Sequence, residues 1–144
     1  MIAMVSTANI ITLLTPVLAQ LTGIGILNTT LEPANQDKPD LNMTTALYVG
    51  YAGISSINPN QAKEHDLYNR AGQDLSQDFD IQIVCLGANL PIIWPYVYNA
   101  LIGQHPIPQY AEYSGLTYVQ GGPMGLSNEN LWWVDRYSIG FPLI

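Results

Sequence analysis

FDIQIVCLGANLPIIWPYVYNALIG (Phe79–Gly103) is the stretch whose reading decides the fold. Its first part has a period of two: Phe79, Ile81, Ile83 and Cys85 face one way, and Asp80 and Gln82 the other. That is a strand with one face on a core. Val84 and Leu86 add apolar groups to the second face, so the strand is expected to run into an enclosed region. Asn89 is a candidate helix cap, and Pro91 suits a first turn, where no intrahelical donor is required. Leu90, Ile93, Trp94, Val97, Leu101 and Ile102 then recur at helical spacing as one apolar stripe. Gly103 is the expected stop, with Pro106 and Pro108 beyond it. Pro95 removes a donor and crowds the Pro91 carbonyl, which predicts an irregular first turn followed by regular helix.

Upstream, Ile10, Leu13, Leu14, Val17, Leu18 and Leu21 form a second helical stripe, closed by Gly23 and Gly25. Pro16 either kinks this helix or starts its second half behind Thr15. The first Lys or Arg is Lys38, and Asn9, Thr12, Thr15, Gln20 and Thr22 interrupt the apolar run. An amphipathic packing helix is therefore expected rather than a signal peptide or membrane span. A short strand is read at 24–31, a polar loop at 32–42, and a strand at 45–53 with Leu47, Val49 and Tyr51 on one face. Residues 54–77 lack any apolar period and read as a long hairpin arm; stretches of this length are functional or disordered. Further strands are read at 115–120 and 131–139, with Gly121–Gly125 as a turn between them. In the last strand Trp132, Val134 and Arg136 alternate with Trp133, Asp135 and Tyr137, so one tryptophan is expected in the core and the other against a partner. The expectation is a single α+β domain over 1–144: a mainly antiparallel sheet packed by an N-terminal and a central helix, with the arm projecting.

The chain has 144 residues, of which 48% are hydrophobic and only 10% charged, with a formal net charge of −7. So few charges on so apolar a chain point to a surface that meets other proteins. Its four cations, Lys38, Lys63, Arg70 and Arg136, are too few to neutralise a run of phosphates. The lone Cys85 excludes an intrachain disulfide and reads as an inert small hydrophobe. His65 and His105 have no Cys or acidic pair at ligand spacing, so no metal is expected. Asp78 and Asp80 share a strand face and read as solvated rather than as a catalytic pair. The glycine run lacks the strand–loop–helix setting of a phosphate cradle, and no serine sits in a nucleophile elbow. The residues therefore lead to an assembly subunit without catalytic residues or cofactor, with a monomeric binding module as the rival of another class.

A strand ending in Leu-Pro-x-x-Trp (Leu90, Pro91, Trp94), then Ala100-Leu101-Ile102-Gly103, a later Gly-Leu, and Trp-Trp-x-Asp (Trp132, Trp133, Asp135) resembles small virion proteins of long-tailed bacteriophages. The nearest group is the tail terminator and tail-completion proteins, including those of Mu-like contractile phages. The resemblance implies an α+β fold and a ring, usually a hexamer, that caps the tail tube and joins it to the head–neck complex. It implies as partners the chain itself, the tube protein and the neck or connector proteins, with DNA only passing through and no membrane. A head–tail connector and a tube subunit are the neighbouring alternatives within virion proteins. For such a ring the interface candidates are Lys63, Glu64, His65, Asp66, Tyr68, Arg70, Trp132 and Trp133. The candidates for an acidic channel lining are Asp74, Asp78, Asp80 and Glu112.

Overall fold

The structure, a computed structural model, describes residues 5–26, 29–33, 45–56, 74–106, 115–127 and 130–142. Two helices pack on one face of a five-stranded sheet of order β1-β2-β3-β5-β4. In chain order these are α1 (Thr7–Gly23), β1 (Thr29–Pro33), β2 (Thr45–Ser56), β3 (Asp74–Leu86), α2 (Leu90–Leu101), β4 (Thr117–Ser127) and β5 (Asn130–Pro142). β2, β3, β5 and β4 are mutually antiparallel neighbours, and β1 joins β2 in parallel at one edge. The fold is α+β, as the alternation and the two helical stripes require.

β3 is the axis of the molecule. Along thirteen consecutive residues it pairs with β5, and its other edge pairs with β2. Phe79, Ile81, Ile83 and Cys85 are all fully buried under the helices. α1 contributes Ile10, Leu14, Val17 and Leu21, and α2 contributes Ile93, Val97 and Leu101. Each such side chain is worth about 1.5–3 kcal/mol relative to exposure. α1 also lies against β1, β2 and α2. Its start is tied to the sheet by buried Gln77: the side-chain amide donates to the Val5 carbonyl (2.7 Å) and accepts from the Val5 N–H (3.0 Å). On the opposite sheet face Ala46, Tyr48 and Val84 form a smaller buried patch against Trp132.

Several local readings are corrected. Ser6, not Thr15, caps α1, in a reciprocal capping box with Asn9. The helix continues through Pro16, and the Thr15 hydroxyl donates to the Ile11 carbonyl one turn back (2.9 Å). The first short strand begins later than expected, at Thr29, because Ile24 and Gly25 are used to end α1. Tyr51 faces the same way as Phe79 opposite it, yet is 58% exposed: β1 ends opposite Val49, so among the described residues no strand lies on its other side. Leu86 is exposed too, although Val84 is buried as expected. Asn89 makes no capping bond; it closes a 3-10 turn (Gly87–Asn89) that leads into α2. The irregularity expected near Pro95 therefore precedes Leu90. Gly103, at φ +73°, ends α2 in the left-handed conformation that glycine tolerates best.

The largest revision concerns Gly121–Gly125. These residues are no turn; β4 runs through them, paired to β5 on one side. Register shifts at Tyr118/Gln120 and Pro123/Gly125 mark two irregularities in this edge strand. Edge strands are where proline and bulges are allowed, since one row of ladder donors has no partner to lose. β2 and β3 remain paired up to Ser56 and Leu75, as a hairpin whose connection is residues 57–73.

Candidate functional site

The register of β5 puts Trp133, Asp135 and Tyr137 opposite Ile83, Ile81 and Phe79, on the face beneath the helices. Asp135 thereby becomes fully buried. Its Oδ1 accepts from the Trp133 indole N–H (2.7 Å) and from the Tyr118 hydroxyl (3.0 Å). The Trp94 indole N–H makes no hydrogen bond, but lies near enough to help hold the charge. Oδ2 has no hydrogen-bond partner, and neither has the neighbouring buried Tyr137 hydroxyl. Burial outweighs the donors, so the Asp135 carboxyl titrates above its ordinary range. Burial and the Asp135 charge together push the Tyr118 phenol up to about 12, so it stays a donor at neutral pH.

The space for this arrangement comes from Gly121, which sits opposite Asp135 on β4. A Cβ there would overlap Asp135 Oδ1 and the Tyr118 hydroxyl and press on Trp133 Nε1. The rings around the carboxylate touch one another. Trp94 stacks on Tyr98 (4.9 Å between centroids), and Tyr118 meets Trp94, Tyr98 and Tyr137 edge-on at 5.4–5.9 Å. Outside them, Leu90, Pro91, Trp94, Pro95, Tyr118 and Trp133 line an open apolar groove of about 350 Å³ between the start of α2 and β4.

The other sheet face carries a different surface. Arg136 and Asp80 are cross-strand neighbours joined by two bonds, Nε to Oδ1 at 3.0 Å and a second guanidinium nitrogen to Oδ2 at 3.3 Å. They lie in a groove of about 410 Å³ with Gln82, Gln120, Met124, Trp132 and Val134. Asp80 raises the Arg136 pKa further through this hydrogen bond and its charge. Val119, Met124 and Leu126, at 51%, 62% and 77% exposure, project from β4, whose outer edge has no strand beside it among the described residues. An unpaired edge carrying exposed apolar groups is a surface that invites pairing.

The sequence-derived candidates are placed unevenly. Lys63, Glu64, His65, Asp66, Tyr68, Arg70 and Glu112 lie outside the described residues, as does the side chain of Asp74, the first residue of β3. Asp78 and Asp80 share a partly exposed face of β3. Trp132 and Trp133 do point to opposite faces, but both are half-buried, one against Val84 and its neighbours and the other against the main core. Cys85 is buried and its thiol pushed up to about 11, so it stays protonated and unreactive at neutral pH. Among the described residues no three His, Cys, Asp or Glu side chains gather as a metal site, and no helix is long and apolar enough to cross a membrane. The buried carboxylate was not singled out from sequence. Its signal was the Trp133-x-Asp135-x-Tyr137 alternation, which puts an acid between two aromatics on one face.

No protein-family model matches the chain, and no curated protein sequence does. Among solved structures, a chain from the virion of a native gene transfer agent particle is similar. The TM-score is 0.52 at 18% identity, over 93% of this chain and 91% of that one. At that identity the likeness is one of fold, and it extends over nearly the whole of both chains.

Proposed function

We propose that this chain is a structural virion protein whose copies form a ring, a hexamer by the resemblance, that terminates a phage tail tube and joins it to the head–neck complex. The observation that carries the reading is the near full-length fold likeness to a chain of a phage-like virion particle. In this reading the chain acts as one domain whose work is assembly rather than catalysis. Of the arm read over 54–77, residues 54–56 and 74–77 belong to the sheet and 57–73 lie outside the described residues. Two further features support a ring. Closed cyclic symmetry needs two different complementary patches per subunit, and the sheet ends in two unlike edges, β1 and β4. One of these, β4, presents the exposed Val119, Met124 and Leu126. A domain of this length is about 35–40 Å wide, so six around an axis leave a hole wider than duplex DNA. In that ring the acidic residues repel passing phosphates. Arg136, tied to Asp80 and within the field of Asp78, offsets part of such a collar.

Particles lacking the protein test the role directly. Tails of uncontrolled length on electron microscopy are expected for a terminator, whereas finished tails beside unjoined heads favour a connector. The assembly has its own measurement: a solution mass of 15.8 kDa, that of a single chain, would remove the ring.

A further inference from the structure

The geometry points to the Trp94–Tyr118–Trp133 groove as a receptor for a basic side chain, an arginine guanidinium above all, presented by a protein partner. Three observations carry it. The groove is lined by three aromatic residues, Trp94, Tyr118 and Trp133, and by no charged residue among those described. Two of those rings, Trp133 and Tyr118, donate their polar hydrogens inward to a single buried carboxylate, Asp135. A ring whose N–H or O–H is bound to an anion holds more electron density on its face, and that face is what attracts a cation. The third observation is a missing charge. Asp135 is fully buried with Oδ2 unpartnered, and the nearest cation in sequence, Arg136, is on the opposite sheet face, bonded to Asp80. Buried charges are ordinarily paired, Asp135 has no counter-charge among the described residues, and a cation held over the rings would favour its ionised form.

Arginine fits better than lysine because its planar, weakly hydrated head stacks on Trp and Tyr faces without needing acceptors around it. The groove offers faces rather than acceptors, and the attraction to Asp135 acts through the rings. A hydrophobic side chain would use the same apolar walls but would gain nothing from the carboxylate beneath them. That difference separates the two occupants.

The test uses the full chain carrying Trp132→Phe, so that fluorescence reports only Trp94 and Trp133. The probes are N-acetyl-arginine methylamide, its neutral isostere with citrulline, and the leucine equivalent. The arginine probe is expected to give a saturable change at roughly millimolar concentration and to bind about tenfold more tightly than citrulline. Asp135→Asn is expected to bring arginine down to the citrulline level. Equal binding of arginine and citrulline, tighter binding of leucine, or no saturable signal with arginine would each overturn the proposal. The comparison of the two isosteres decides the matter even if Asp135→Asn does not fold. It is also independent of the ring, whose failure shows in solution mass and not in this binding.

Discussion

Asp135 sets the terms at the scale of single residues. Its carboxyl is held above the ordinary range by burial, with the Trp133, Tyr118 and Trp94 donors opposing the shift. For an acid whose folded pKa is raised, the stabilising contribution is complete below the unfolded value of about 3.9 and is lost as pH rises through the folded pKa. The phenols facing it, Tyr118 and Tyr137, are themselves pushed upward by burial and the Asp135 charge, so they stay neutral in that window. The stability of wild type relative to Asp135→Asn should therefore fall as pH rises above 4, as read by denaturant unfolding across pH 4–8. At neutral pH the variant should gain about 1–2 kcal/mol, the usual cost of a buried unsatisfied acceptor. A wild-type advantage that grows with pH would contradict this. Gly121→Ala should act the other way, costing about 1–3 kcal/mol because its methyl overlaps the carboxylate and the Tyr118 hydroxyl. The sequence showed Asp135 on the face of Trp133 and Tyr137, but not that it is enclosed. Enclosure depends on which β4 residue lies opposite, and that is a matter of register between strands.

Among the elements, β3 and the two helices were legible because each has a single buried face. Phe79 to Ile83 alternate cleanly, since helices cover one side of the sheet while the other buries only a small patch around Val84. Ile93, Val97 and Leu101 occupy one line of α2 for the same reason. β4 was not legible. Gly121, Gly122, Pro123 and Gly125 carry turn chemistry, and only an edge position makes them acceptable in a strand. No local pattern says which strand will be at the edge. The cap of α1 was equally hidden, because a capping box with Asn9 in place of the usual Glu or Gln is a weak signal. Ser6→Ala should cost about 1 kcal/mol, visible as a lowered melting temperature. Phe79→Ala, at the centre of β3, should cost about 3–5 kcal/mol. A change below 1 kcal/mol in denaturant titration would mean that the Phe79 ring does not sit in the core.

For the whole molecule, the exposed edge and the sparse charge belong together. A sheet edge bearing Val119, Met124 and Leu126 on a chain with 10% charged residues has little to keep copies apart. On the proposed ring, Leu126→Lys is expected to leave the melting temperature unchanged, since the side chain is 77% exposed, while reducing the solution mass to that of a single chain. An unaltered ring mass would place the contact elsewhere. The order of the strands has a further consequence, for synthesis rather than assembly. β5 is the last strand described, yet it lies between β3 and β4, which flank it in parallel to each other. Until residues 130–142 leave the ribosome, the edge of β3 that β5 will cover has no partner, and neither Asp135 nor Trp133 is there to meet Tyr118. A nascent chain released early is thus left with a gap inside its sheet rather than a shortened end. Such a gap exposes two unpaired strand edges at once, which leaves the truncated chain prone to pairing with other chains.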